Sequence, residues 1–199
     1  MKVLFFSDLH ADKKSAEKIK EKSRNADLLV CAGDLSRMGQ GFGDMITILA
    51  TIPKTILLIP GNNETLEFVK EGTKDYENII VIDGEVYQDL DLKFLGIGGG
   101  TISPFNTPNE LSDEEFKDRL LPFSDDITVL VSHTPPKDTK LDKTSTGLHI
   151  GSFMVREWIM KNQPLLCCCG HVHENAGKEE KVGRTLCFNP GPEGVIKVL

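Results

Sequence analysis

The sequence has few cysteines, a shortage of basic charge and no long apolar run. Its five cysteines are an odd number and three of them are consecutive, which argues against a disulfide framework and predicts reduced, buried thiols. The 30 acidic side chains exceed the 23 basic ones, so we do not expect a protein whose main task is to hold a nucleic-acid backbone. The apolar start of the chain, residues 1–6, is too short for a signal peptide or a membrane span. We therefore expect a cytoplasmic protein without membrane contact.

The 199 residues predict one globular domain, spanning residues 1–199. Short apolar runs alternate with segments of helical periodicity, which is typical of an α/β protein. The predicted strands are residues 2–6, 28–32, 55–59, 79–82, 94–97, 127–131 and 165–169, and the predicted helices are residues 13–24, 66–74, 112–121 and 153–161. Residues 85–92 and 184–188 mix polar and apolar positions as hairpin strands do, so mixed sheets are expected. Residues 178–181 are expected at a hairpin tip, and residues 98–109 form a long loop that could shape a substrate pocket.

Residues that can bind a metal recur directly after these apolar runs. They are Asp8, His10, Asp34, Asn62, His133, His171 and His173. Taken singly, each has an ordinary explanation as a helix cap, a turn residue or a hydrogen-bonded histidine. Together they indicate a shared site, because the carboxyl ends of the strands in an open α/β sheet face one crevice.

The chemistry of this set favours catalysis over structural metal binding. A chain of this length does not need a metal to stay folded. Imidazole, carboxylate and amide oxygen without thiolate suit manganese, iron or zinc in an open site. Asp34 has two oxygens and could bridge two cations, as in two-metal hydrolases. Two dications would outweigh the charges of Asp8, Asp34 and a hydroxide, so the site would attract an anionic phosphoryl group.

Five sequence blocks occur in an order that resembles the calcineurin-like metallophosphoesterases. They are Asp8-Leu9-His10, Gly33-Asp34, Gly61-Asn62-Asn63-Glu64, Ser132-His133-Thr134-Pro135-Pro136 and Gly170-His171-Val172-His173-Glu174. The resemblance implies a four-layer αββα sandwich of two mixed β-sheets flanked by helices, with two divalent metal ions. It assigns Asp8, His10, Asp34 and His173 to the first metal, and Asp34, Asn62, His133 and His171 to the second. It also implies hydrolysis of a phosphate ester by a metal-bridging hydroxide.

One position departs from the family pattern. The family's usual Gly-Asn-His block reads Gly-Asn-Asn here, so Asn63 stands where a histidine would protonate the leaving oxygen or bind phosphate. Asparagine can donate a hydrogen bond but cannot deliver a proton. His149 is a candidate replacement if it lines the mouth of the site. The alternative interpretation is that His149 lies at the entry of a helix and only makes a local hydrogen bond.

Two functions from different classes remain open at this point. The first is a metal-dependent phosphoesterase, a phosphodiesterase or phosphatase acting on a small phosphate ester. The second is a catalytically weak or inactive protein-interaction scaffold on the same fold, which the absence of the family histidine at Asn63 favours. The retained set of metal-binding residues favours the enzyme, because clustered ionised groups repel one another without cations. Nucleic acid is not an expected partner, and oligomeric state cannot be read from the sequence.

Overall fold

The computed structural model describes residues 1–123 and 126–199. Its strands are β1 (Lys2–Phe6), β2 (Leu28–Cys31), β3 (Ile56–Leu58), β4 (Ile79–Val81), β5 (Val86–Asp89), β6 (Leu92–Ile97), β7 (Gly100–Thr101), β8 (Glu110–Leu111), β9 (Val129–Ser132), β10 (Leu166–Cys168), β11 (Glu179–Val182), β12 (Thr185–Phe188) and β13 (Val195–Val198). Its α-helices are α1 (Lys13–Lys22), α2 (Phe42–Ala50), α3 (Leu66–Thr73), α4 (Asp113–Leu120) and α5 (Phe153–Asn162).

These strands form two large mixed sheets and one small pair. The first sheet has the order β13-β1-β2-β3-β4, in which only β13 is antiparallel to its neighbour. The second has the order β11-β12-β10-β9-β6-β5, with a parallel centre and an antiparallel strand at each edge. Strands β7 and β8 pair with each other. The predicted α/β class and mixed sheets are confirmed.

Three apolar layers hold the sheets and helices together. The strands of the first sheet pack one face against α1, α2 and α3, where Ile19, Met45 and Val69 are buried. The inner faces of the two sheets meet in a second layer that contains the perpendicular ring pair Phe5 and Phe188. The other face of the second sheet packs against α4 and α5. The order is therefore helix, sheet, sheet, helix, which confirms the four-layer sandwich.

Polar residues at the predicted positions begin four of the helices. The side chains of Asp12, Thr65 and Ser152 accept backbone N–H bonds in the first turns of α1, α3 and α5. Ser112 and Glu115 form a reciprocal capping box at α4. Each of these helices begins after a strand or after a loop that follows a strand. The caps therefore also fix the direction that the chain takes beyond the strand ends.

The sequence-based strand assignment is correct at the centre of both sheets and incomplete at the edges. All seven predicted apolar strands are present, but α2, β13 and the short pair β7 and β8 were not predicted. Strand β7 lies within residues 98–109, which were predicted as a loop. Residues 85–92 belong to an antiparallel hairpin, as their mixed pattern predicted, but they are not one strand, because a turn at Leu90 and Asp91 separates β5 from β6. Residues 178–181 are not a hairpin tip either. Most of them belong to β11, and the turn falls at Gly183 and Arg184.

All five cysteines have free thiols and are buried, as predicted. Burial raises the pKa of the Cys31 and Cys168 thiols well above the ordinary value, so these side chains remain neutral. Among the described residues, none of the helices has the length and apolar character that a membrane crossing requires.

Candidate metal centre

The seven predicted metal-binding residues meet at the carboxyl ends of the central strands. Asp8, Asp34 and Asn62 follow strands of the first sheet, whereas His133 and His171 follow strands of the second. The backbone N–H of His171 donates to Asp8 Oδ1 at 3.1 Å and so joins the two sheets. Residues far apart in sequence are therefore brought together at one end of the sandwich, as the strand-end pattern predicts.

Four of the residues form one group of converging donor atoms. One ligand atom from each of Asp8, His10, Asp34 and His173 lies within 4.8 Å of all the others. His10 Nε2 is 2.8 Å from His173 Nε2 and 3.5 Å from Asp34 Oδ2. Asp8 Oδ1 is 3.6 Å from His173 Nε2. Two imidazoles and two carboxylates are a suitable donor set for a divalent transition metal.

A second group of donors lies on the other side of Asp34. Asn62 Oδ1 is 3.1 Å from His133 Nε2 and 2.9 Å from His171 Nδ1. His133 Nε2 is also 3.6 Å from Asp34 Oδ2. The oxygen Asp34 Oδ2 is therefore close to an imidazole nitrogen in each group.

Backbone carbonyls fix the protonation of two of these imidazoles. His10 Nδ1 is 3.1 Å from the carbonyl oxygen of Ser36, and His133 Nδ1 is 2.7 Å from that of Ala32. A carbonyl can only accept, so Nδ1 carries the proton and a neutral ring presents its lone pair at Nε2. When His133 in the second group is neutral, this lone pair faces Asn62 Oδ1, which is itself an acceptor. A cation between the two atoms removes that repulsion, so the donors fit a metal.

Two further features mark the donor groups as a site built for a ligand. Asp8 Oδ2 is buried and has no hydrogen-bond partner among the described residues, an arrangement that costs free energy without a cation. Four donor residues also have backbone φ angles in the left-handed region, which non-glycine residues rarely adopt. These angles are 57° for Asp8, 44° for His10, 56° for Asp34 and 69° for His171.

Asn63 holds Asp34 in place. Its backbone N–H donates to Asp34 Oδ1 at 2.9 Å, and its side-chain Nδ2 donates to Asp34 Oδ2 at 2.6 Å. Its Oδ1 accepts from the backbone N–H of Met38 at 3.1 Å. All three contacts orient the carboxylate and the loop that follows β2.

Sequence reasoning missed the supporting roles of Glu64 and Gly61. Buried Glu64 accepts bonds from the backbone N–H and the hydroxyl of Ser36, both at 2.6 Å, and thus ties the loop after β2 to the loop after β3. Burial and the nearby Asp34 raise the pKa of Glu64 to about 7. A Cβ at Gly61 would overlap the Asp34 carboxylate, so only glycine allows this approach. Both residues belong to the Gly-Asn-Asn-Glu block, and that block is the sequence signal that could have identified them.

His149 lies in the wall of a cavity beside the donor groups. The cavity has a volume of about 880 Å³, and His171 and His173 also line it. His149 Nδ1 is 2.7 Å from Oδ1 of the buried Asp142. His149 thus lines the cavity beside the donor groups and also makes a local hydrogen bond, so the geometry agrees with both interpretations of this residue.

The imidazoles that face Asn62 have opposite pKa shifts. Burial, and next to it the neighbouring His133, lower the pKa of His171 to about 3. Burial acts in the same direction on His133, but the carboxylates of Asp34 and Asp8 outweigh it and raise the pKa of His133 above its ordinary value. His171 is therefore neutral at physiological pH and able to bind a metal without losing a proton.

The depressed pKa of His171 predicts an acid-sensitive metal-free protein. The stabilising effect of a neutral His171 is complete above pH 6.5, the ordinary value, and declines as the pH falls toward about 3. Between pH 6.5 and 5 the loss is at most about 2 kcal/mol, and solvent access to the ring reduces it. Denaturant unfolding of EDTA-treated protein should show a smaller loss over this range for His171→Gln than for wild type. Equal losses would contradict the prediction.

Comparison with known proteins agrees with this architecture. A family model described as calcineurin-like phosphoesterase matches residues 1–175. The uncharacterized protein MJ1162 of Methanocaldococcus jannaschii is 34% identical over 201 residues, covering 97% of this chain and 89% of that protein.

Solved structures with low sequence identity share the fold. The protein TT1561 of Thermus thermophilus has a TM-score of 0.74 at 17% identity, covering 96% of this chain and 88% of that one. The phosphopantetheinyl hydrolase PptH of Mycobacterium tuberculosis has a TM-score of 0.69 at 15% identity, with 95% and 88% covered. With the family model spanning most of the sequence and a relative matched along nearly its whole length, the chain belongs to the calcineurin-like phosphoesterase family.

Proposed function

We propose that this protein is a metal-dependent phosphoesterase that hydrolyses a small phosphodiester or phosphomonoester at a site for two divalent metal ions. The observation that carries the proposal is the position of Asp34 Oδ2, 3.5 Å from His10 Nε2 and 3.6 Å from His133 Nε2. A carboxylate oxygen between two sets of donors suits a bridging ligand. Manganese, iron and zinc all agree with this donor set.

The ligands divide into two sets that share Asp34. Asp8, His10, Asp34 and His173 would hold one ion, since their donor atoms converge within 4.8 Å. Asp34, Asn62, His133 and His171 would hold the other, since Asn62 Oδ1 lies close to both imidazoles. The unpartnered Asp8 Oδ2 and the Nε2 lone pairs of His10 and His133 support this assignment.

The remaining residues position the site and handle the leaving group. When bound, two divalent cations supply Lewis-acid stabilisation of phosphoryl charge and a water of lowered pKa as nucleophile. Asn63 orients Asp34, and Glu64 ties the loops that carry Asp34 and Asn62 to each other. His149, in its protonated form, donates the Nε2 proton to the leaving oxygen, while its Nδ1–H donates to Asp142 and holds the ring in place.

Metal analysis together with hydrolysis tests the proposal. We expect purified protein loaded with manganese, iron or zinc to hold two equivalents and to hydrolyse an activated diester or monoester. EDTA treatment should abolish the activity, and adding the metal back should restore it. Protein that binds no metal and stays inactive after manganese addition would contradict the proposal and favour the scaffold, for which the asparagine at position 63 is the specific indication.

A further inference from the structure

The 880 Å³ cavity beside the donor groups is continuous with the candidate metal centre. His171 and His173 belong both to the cavity wall and to the two donor groups. A phosphoryl group at the centre would therefore direct one of its substituents into this space. The volume lies in the range of clefts that hold small organic ligands, and it exceeds what a phosphate ion alone requires.

Large apolar side chains line the cavity and are exposed to solvent. Ile102 is 69% exposed, Phe105 is 79% exposed and Leu148 is 65% exposed, and all three face the cavity. Isolated apolar side chains on a surface are ordinary, but a cluster in a concave wall marks a binding site.

Hydrogen bonds hold the two loops that present these side chains. The Glu110 carboxylate accepts from the backbone N–H and hydroxyl groups of both Ser103 and Thr107, at 2.6 to 3.0 Å. Burial raises the pKa of Glu110, but these hydrogen bonds outweigh it and bring the pKa to about 2, so the carboxylate stays ionised. The second loop is closed by a 2.8 Å bond from Thr144 N to Leu148 O. Thr101 Oγ1 donates to Ile150 O at 2.8 Å and links the loops.

Apart from the histidines, the charged side chains in the cavity wall are Asp113 and Lys137. Asp113 lines the cavity, but its carboxylate accepts from the Ser152 hydroxyl at 2.6 Å in the cap of α5. Lys137 is the single lysine in the wall. Most of the wall surface between the two loops is thus apolar, and the donor groups hold most of the charged and metal-binding side chains.

We propose that this cavity binds the organic group of the substrate, and that this group is uncharged, apolar or aromatic, and at least the size of a benzene ring. The proposal rests on the proposed phosphoesterase function, because it assumes a phosphoryl group held at the metal centre. Phe105 and Leu148 are specificity-determining residues, because they contact the organic group and not the phosphorus. Their apolar surface selects ring-sized esters over methyl esters.

Binding of two phosphonates to the manganese-loaded protein tests this inference without a catalytic readout. Methylphosphonate and phenylphosphonate present the same anionic head group and differ in the organic group. We expect phenylphosphonate to bind about tenfold or more tightly in isothermal titration calorimetry, because part of its ring is buried against the cavity wall. In Phe105→Ser/Leu148→Ser the ratio of the two affinities should fall below about threefold, since most of that apolar surface is removed.

Leu90→Ser is the matched control, because Leu90 is 78% exposed and does not line the cavity. It should keep the wild-type ratio. If methylphosphonate binds but the ratio is near one, or if the double variant keeps the wild-type ratio, the cavity proposal is overturned while the metal centre stands. If methylphosphonate fails to bind the manganese-treated wild type, the phosphoesterase proposal fails and the cavity proposal fails with it.

Discussion

Replacing Asp34 with asparagine is expected to lower phosphoester hydrolysis by about a thousandfold or more and to reduce the bound metal below two equivalents. Asp34 Oδ2 lies between imidazole nitrogens of both donor groups, at 3.5 and 3.6 Å, so its charge would serve both ions. Asparagine keeps the size of the side chain but removes the negative charge. Steady-state hydrolysis of an activated diester, together with metal analysis of the same preparation, measures both effects.

The Asp34→Asn result is interpretable only if the variant is folded. Thermal unfolding of the metal-free variant should remain cooperative, with a midpoint lowered by about ten degrees or less, because asparagine can still accept one of the two hydrogen bonds from Asn63. Asp44→Asn is a suitable control, because that carboxylate is 58% exposed and pairs with Lys13 on the surface. It should leave metal content and rate unchanged. A folded Asp34→Asn protein with two metals and a rate within about tenfold of wild type would refute the bridging role.

Removing the imidazole of His149 is expected to affect poor leaving groups selectively. In His149→Ala, we expect the hydrolysis of an alkyl ester to fall by about two to three orders of magnitude, while a p-nitrophenyl ester falls by less than about tenfold. A poor leaving group needs a proton on its departing oxygen, whereas p-nitrophenolate departs without one. The measurement is the rate constant for a series of esters with increasing leaving-group pKa. A plot of the logarithm of the rate constant against leaving-group pKa should be steeper for the variant than for wild type.

His149→Gln separates proton delivery from a structural role. Glutamine can still donate a hydrogen bond to Asp142, which accepts from His149 at 2.7 Å, but it cannot transfer a proton. If His149 is the acid, the glutamine variant should behave like the alanine variant. Recovery of the alkyl-ester rate by glutamine, or equal losses for all leaving groups in both variants, would support the alternative of a local hydrogen bond at a helix entry.

The strands that carry the site could be predicted because they are buried on both faces. Segments such as residues 28–31 and 129–132 are fully buried between a helix layer and the other sheet, so they form continuous apolar runs. The helix α2 was missed because it has few polar residues and because Gly41, the residue before it, provides no side-chain cap. The strand β13 was missed because it is only partly buried and its partner, β1, lies at the other end of the chain.

The donor residues could be predicted, but their supporting contacts could not. A histidine or carboxylate directly after a buried strand has little freedom in where it lies, so the strand pattern was sufficient for Asp8 and His133. The position of the Asn63 amide against Asp34 depends on the conformation of the loop after β3, which no periodicity describes. The cavity could also be predicted only in part. Residues 98–109 were expected to shape a pocket, but its apolar walls at Ile102 and Phe105 depend on the hydrogen bonds to Glu110.

The buried cysteines give the sandwich a natural set of chemical reporters. Cys31 lies in the layer under α1 to α3, Cys168 lies between the sheets, and Cys167, Cys169 and Cys187 lie under α4 and α5. A thiol reagent cannot reach any of these buried cysteines in the folded protein. The alkylation rate at each cysteine therefore measures how often the layer that contains it opens. Mass spectrometry of the labelled peptides would therefore give the order in which the layers separate, without introducing a single probe residue.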